Sequence, residues 1–362
     1  MIKINKPTLV LDKAKCLENL QRMHDKARIS ETRFRPHFKT HQSAIIGNWF
    51  RKLGIHSITV STVTMAKYFS NYGWKDITIS LPVNILEAYD INELAIGVKL
   101  NLVAESLEPI QKLDTYLVYE VGIFIEIDTG YQRSGIVWKD LKEIEKILEY
   151  LNKATKVKFK GFFTHSGHTY QAENKEEIRE IYKDTVLKMN YLKERYIGEY
   201  PDLIISVGDT PSCSLVDDFK EVDEIRPGNF LFYDLMQYSI GACTLDQIAL
   251  TLAAPVVAKS PQRNEIVSYG GATHLSKDFL FKSNGDRIYG YVVKYEENQW
   301  SKPIKGTYLA NVTQDHGIIR SSKEFVDSVN RGDVLGILPV HSCLAANLLR
   351  KYITLEGDAV DY

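Results

Sequence analysis

The sequence lacks an excess of charge of either sign, with 45 Lys and Arg against 46 Asp and Glu in 362 residues. No net field is therefore available to hold nucleic acid or an anionic membrane, and small neutral or zwitterionic partners are the better expectation. It also lacks any apolar run of roughly 18 residues, and its opening MIKINKPTLVLDKAK has no apolar signal-peptide core, so a cytoplasmic protein is expected. CxxC spacing is missing too. The four cysteines (Cys16, Cys213, Cys243 and Cys343) are scattered, which argues against a disulfide framework and for free thiols, one of them a candidate ligand. There is no low-complexity linker, and a composition of 44% hydrophobic and 25% charged residues excludes disorder.

What is present is an alternation. From residue 12 to about 240, short β-rich runs alternate with stretches of helical period. Eight runs read as strands: Arg33–Phe38, Ser57–Ser61, Asp76–Ser80, Leu100–Val103, Val121–Ile127, Lys158–Thr164, Leu203–Val207 and Val222–Arg226. Between them, Lys13–Arg28 predicts a helix with Leu17, Leu20 and Ala27 on one face, and His41–Leu53 a helix capped by Gly54. Eight βα units in about 230 residues predict a (β/α)8 TIM-type barrel, with a doubly wound sheet as the rival. Beyond about residue 245 the helical period fades. Leu250–Ala258, Glu265–Ser268, Ile288–Val293, Tyr308–Val312, Asp333–Ile337 and Tyr352–Thr354 predict a β domain, placed at residues 241–362.

A barrel carries its chemistry where strands run into loops. Here the first strand runs into Pro36-His37-Phe38-Lys39-Thr40-His41 and the fifth into Asp128-Thr129-Gly130-Tyr131-Gln132-Arg133. The sixth runs into Thr164-His165-Ser166-Gly167-His168-Thr169-Tyr170. Gly208-Asp209-Thr210 and Gly228-Asn229 follow strands seven and eight, where glycine-rich turns aim backbone N–H groups at a phosphate. Taken singly, each is better explained as a simple turn or a solvated charge. His341-Ser342-Cys343 forms a second cluster: on an extended segment residues i and i+2 face the same way, so an imidazole and a thiolate can share one ion. A buried histidine beside an inert thiol is the competing explanation.

The segments RPHFKTHQ, EIDTGYQRSGI, HSGHTY, SVGDTPS, EIRPGNFLFYD, YGGATHLSKD, TQDHG and PVHSC occur in that order along the chain. Together they resemble the D-threonine aldolase and D-serine dehydratase group of fold-type III, alanine racemase-like enzymes that use pyridoxal 5′-phosphate (PLP). The resemblance implies a PLP barrel at residues 12–240, a β domain that receives an N-terminal strand (Thr8–Leu11), and a homodimer. It implies that Lys39 carries PLP as a Schiff base and that Arg133 lies near the cofactor ring. It places Tyr170 close to the ring, gives Gly208, Asp209, Thr210, Gly228 and Asn229 to the phosphate cradle, and leaves Arg226 to serve ring or structure. It makes His341 and Cys343 a metal site, where a thiolate with an imidazole favours Zn²⁺ over Mn²⁺ or Mg²⁺.

His165 and His168 are candidate catalytic bases near the substrate hydroxyl; His274 and His316 are weaker candidates. The implied activity is a lyase on a small D-3-hydroxy amino acid. Retro-aldol cleavage to glycine and an aldehyde is set narrowly ahead of dehydration to a 2-oxo acid and ammonia, and both ahead of racemisation or a non-catalytic PLP-binding role.

Overall fold

The computed structural model describes residues 4–296 and 299–361, which divide into two compact units. One comprises residues 21–39 and 47–228; the other comprises residues up to Leu20, Thr40–Ile46 and the chain from Asn229 onward.

The first unit contains all eight expected strands, here numbered one to eight: Arg33–Phe34, Ser57–Val60, Asp76–Pro82, Lys99–Ala104, Val121–Asp128, Val157–Phe163, Ile204–Val207 and Glu224–Ile225. Neighbours pair in parallel from strand two through strand eight, and strand eight pairs with strand one. Past Phe34 the chain bridges to strand two at His37 and Thr59, where Phe38 N–H donates to Thr59 O and Thr59 N–H to Pro36 O, both at 2.9 Å. That bridge closes the ring, so this is a barrel and not the doubly wound alternative. Strand five, VGIFIEID, is buried along all but its last residue, as a parallel strand covered on both faces should be.

The lower interior of the barrel is ionic. Arg35, 2% exposed, places Nε 2.6 Å from Glu224 and Nη1 2.6 Å from Asp76. Arg33 lies 3.9 Å from Glu224 and Lys99 3.6 Å from Asp76, so three cations share two carboxylates. Buried charges persist only when paired in this way.

The second unit is an antiparallel sheet. Leu250–Ser260, Glu265–Tyr269, His316–Arg320, Tyr308–Val312, Gly290–Glu296 and Val334–Pro339 pair in that order, and the last returns to the first. Thr8–Leu11 joins this sheet, antiparallel to Leu250–Ser260 and parallel to Lys351–Thr354. The strand His316–Arg320 escapes sequence reading because its HGIIR is short and begins with two weak strand formers.

Three local expectations need correction. The first helix spans Lys13–Ile29, but Leu17 is 40% exposed, and Cys16, Leu20, Met23 and Ala27 form its buried face. The second runs only over Ala44–Arg51, with His41–Ser43 outside it, while Gly54 does take the left-handed φ of 77°. His341–Cys343 is not an extended segment: His341 is the extended residue before a helix, Ser342–Leu349, whose small and unbranched residues favour that state. Among the described residues no helix is long and apolar enough to cross a membrane.

Candidate active site

Lys39 lies in the turn after strand one. Phe38, fully buried, anchors that turn through ring contacts of 4.8 to 5.0 Å with Phe50, Phe69 and Trp74. On the other side His37 Nδ1 accepts the Lys39 backbone N–H at 3.3 Å, which leaves Nε2–H to donate to Ser80 Oγ at 3.0 Å. The backbone under Lys39 is thus held by strands two and three while its long side chain stays exposed.

The loop after strand six carries both candidate histidines. His165 Nδ1 donates to Gly208 O at 2.8 Å; burial, with the charges of Lys39, Arg133 and Arg226, pushes its pKa down to about 3. It is therefore neutral, with Nε2 bearing the lone pair. His168 stacks on Tyr131 with centroids 6.2 Å apart, and burial, then Lys188, lowers its pKa as well. Its Nδ1 is buried without a partner. Arg133 is exposed, its guanidinium 5.3 Å from the Tyr131 ring.

Strands seven and eight end close together because residue 208 is glycine: a Cβ there would meet Arg226 backbone atoms at 2.7 to 2.9 Å. The Asp209 carboxylate is turned into the short helix Thr210–Leu215, accepting Ser212 N–H at 2.7 Å and the Thr169 hydroxyl at 3.0 Å; burial raises its pKa to about 6. Thr210 N–H points to Tyr170 Oη at 3.3 Å, and Ser212 Oγ is buried without a partner. A cramped glycine turn, a phenol, a helix start and an orphaned hydroxyl fit a phosphate-bearing cofactor. Arg226 is committed to the barrel interior, with Nε on Ser206 Oγ at 2.7 Å, Nη2 on Thr164 O at 2.5 Å, and its guanidinium 3.4 Å over Phe163. Pro227, next to Gly228, gives its carbonyl to His37 N–H at 2.9 Å.

In the second unit, His341 and Cys343 lie within hydrogen-bonding reach of each other. His341 Nδ1 meets Asp278 Oδ2 at 2.9 Å, which leaves Nε2 for a ligand. Cys343 Sγ is met by Thr40 Oγ1 at 3.3 Å and Asn229 Nδ2 at 3.4 Å. Burial alone would neutralise both groups, yet Cys343, Asp234 and Asp278 lift the His341 pKa to about 10, and His341 and Thr40 lower that of the thiol. Asp234 fixes the motif from behind, accepting Ser342 N–H at 3.0 Å and Asn229 Nδ2 at 2.7 Å. An imidazole oriented by a carboxylate beside a thiol with thiolate character fits a transition-metal ion. Among the described residues no cluster of three or more His, Cys, Asp or Glu forms, so positions on such an ion stay open.

Asn229, expected in the phosphate cradle, thus directs its side chain to the His341–Cys343 motif. His274 and His316 serve local turns, bonding Gly271 N–H at 3.2 Å and Thr313 Oγ1 at 3.4 Å. Sequence reasoning missed the supports His37, Thr40, Asp234 and Asp278. Asp234 and Asp278 lie inside FLFYD and YGGATHLSKD, segments that carried the resemblance with no role for these carboxylates.

The family described as "Alanine racemase, N-terminal domain" matches residues 11–235, and "Putative serine dehydratase domain" matches residues 249–355. The chain is 27% identical to D-serine dehydratase of Dictyostelium discoideum, covering 98% of this chain and 94% of that one. It is 25% identical to D-threo-3-hydroxyaspartate dehydratase of Delftia sp. (strain HT23), covering 99% and 96%. The solved structure of the Delftia enzyme has the same fold, with a TM-score of 0.90 over 99% of this chain and 96% of that one at 24% identity. A variant of D-threo-3-hydroxyaspartate dehydratase has also been solved "in the metal-free form". D-threonine aldolase of Arthrobacter sp. is 23% identical over 65% of this chain and 62% of its own.

Proposed function

The chain belongs to the alanine racemase N-terminal domain family, and on that premise we propose that it is a PLP- and metal-dependent lyase that dehydrates a D-3-hydroxy amino acid. The observation that carries the choice of bond is the state of the two loop histidines. Retro-aldol cleavage needs a base for the 3-hydroxyl proton. His165 is neutral with its pKa pushed down to about 3, which makes it a weak base, and burial lowers that of His168 as well. This moves the balance away from cleavage. Three relatives aligned in sequence along 98 to 99% of the chain are dehydratases, whereas the D-threonine aldolase of Arthrobacter sp. aligns over 65% of it, although a solved D-threonine aldolase superposes on 99% with a TM-score of 0.81.

Bound PLP supplies an electron sink for the pair left at Cα, and a divalent ion supplies a Lewis acid for the hydroxyl leaving Cβ. Lys39 takes the α-proton through its ε-amine, on a turn that His37 and Phe38 hold still. Gly208, Thr210, Ser212 and Tyr170 hold the phosphate end, an anchor common to ground and transition states. Arg133 supplies a cation near the ring, while Arg226 braces the strands beneath it. His165 offers Nε2 as an acceptor without adding charge. His341 and Cys343 hold the ion, Zn²⁺ by donor type, and Asp278 keeps Nε2 of His341 aimed at it.

For D-threonine, loss of water leaves an enamine whose imine tautomer takes a water back, giving 2-oxobutanoate and ammonia with no net change in water; for D-serine the products are pyruvate and ammonia. Incubating the enzyme with D-threonine and analysing products tests the reading. 2-Oxobutanoate with ammonia is expected. Glycine with acetaldehyde would establish cleavage, the second reading, favoured by the unpartnered Nδ1 of His168.

A further inference from the structure

At the N-terminal end of the barrel strands, the end opposite to that of Lys39, lies a cavity of about 400 Å³. Its size falls within the roughly 300 to 1,000 Å³ of small-molecule sites. Its wall includes Phe124, Phe159, Lys160, Glu199, Tyr200 and Asp202. Phe159 and Lys160 are consecutive residues of strand six, and consecutive strand residues ordinarily face opposite ways.

A bulge puts both on this wall. Strand five pairs Ile123 with Phe159 and then Phe124 with Gly161, so Lys160 is the inserted residue. Gly161 takes φ 141°, a left-handed conformation that a side chain would oppose, and a Cβ there would lie 2.0 Å from Ile204 O. On the neighbouring strand five, a Cβ on Gly122 would meet Asn101 Oδ1 at 2.3 Å and Lys160 Cγ at 2.6 Å. Two glycines and a bulge thus lay an ammonium into the barrel floor.

Two charged side chains of this wall, one of each sign, make no polar contact with the described residues. Arg33, Arg35 and Lys99, also in the wall, pair with Glu224 and Asp76. Glu199 accepts Asn152 Nδ2 at 2.9 Å. Among the described residues Lys160 has no hydrogen-bond or ion-pair partner, and neither does Asp202 at the mouth. Lys160, Asp202 and three aromatic side chains in one wall match a free amino acid, whose ammonium and carboxylate share one carbon and whose side chain is apolar.

We propose that this cavity binds a free amino acid with an aromatic or large apolar side chain, its carboxylate on Lys160 and its ammonium on Asp202. The site is separate from the lyase chemistry, and its existence does not depend on which bond that chemistry breaks.

The test is calorimetric titration of the PLP-loaded enzyme with L-phenylalanine while the cofactor absorption band is followed. Saturable binding at millimolar concentration or below is expected, with the band unchanged. Lys160→Met, which keeps the apolar stem, and Asp202→Asn should each weaken binding about tenfold or more, the cost of losing a charge-assisted contact. Both variants should turn over D-serine, without added phenylalanine, at the unmodified rate. Phenylacetate and phenethylamine, each lacking one charge, should bind more weakly by a similar factor. Absence of saturable binding would overturn the proposal, as would affinity unchanged in both variants. Phenylacetate binding as tightly as phenylalanine would make this a plain anion site, and a shift of the cofactor band would place the ligand at Lys39 instead.

Discussion

His165 in the barrel faces Lys39, Arg133 and Arg226 and donates to the neutral carbonyl of Gly208; His341 in the sheet unit faces Asp278, Asp234 and Cys343. Burial favours the neutral imidazole in both places. In the barrel the surrounding cations act in the same direction, and the pKa falls to about 3. In the sheet unit the anions outweigh burial, and it rises to about 10. Two imidazoles of similar burial therefore have opposite chemistry: one offers a neutral acceptor beside a reactive amine, the other belongs to a charged pair that an ion can displace. The neighbours' charge, more than depth, separates the two imidazoles.

Variants can break that division. Lys39→Ala should abolish turnover, by about three orders of magnitude or more, and remove the PLP-labelled peptide after borohydride reduction, while metal content stays near that of the unmodified enzyme. Residual label on another lysine would relocate the amine. Cys343→Ala should give the reverse pattern, a yellow protein with PLP but little metal and turnover reduced about a hundredfold or more; a chelator should reproduce the loss and Zn²⁺ reverse it. If metal-free protein keeps full activity, the sheet unit has no chemical share.

Asp278→Asn probes orientation without removing a ligand. Metal affinity measured by competition with a chelator should fall about 10- to 100-fold, with PLP affinity unchanged. On the barrel side, Gly208→Ala pushes a methyl against the Arg226 backbone, at 2.7 Å, and should weaken PLP binding about tenfold with little change in metal content.

The smallest effect concerns pH. The folded-state pKa of His165, about 3, lies below the ordinary 6.5, so its contribution to stability is complete above pH 6.5 and is lost as pH falls toward 3. Thermal unfolding of the unmodified protein and His165→Gln should therefore show the unmodified protein losing more stability on acidification through that window. Parallel pH profiles would mean that His165 has the same pKa folded and unfolded.

Period and order in the sequence were enough for the eight parallel strands and the β domain, because a strand buried on both faces is a continuous apolar run; Lys39, His341 and Cys343 stood out only through the family resemblance. Period and order were insufficient for Leu17, whose place on a helical face depends on what covers that face, and for the backbone at Ser342, where helix and strand differ by a single turn of chain.

The sequence by itself determined which chemistry is available: one lysine after the first strand, glycine-rich turns after the last two, and a histidine two residues from a cysteine. Only the tertiary structure decided how each group is tuned. The carbonyl of Gly208 lies 43 residues from His165 and the carboxylate of Asp278 lies 63 residues from His341. The bulge that turns Lys160 into the barrel likewise exists only in the register of strand six against strand five. Electrostatic tuning and strand register depend on distances in space, and residues far apart in the chain carry no local pattern that reveals them.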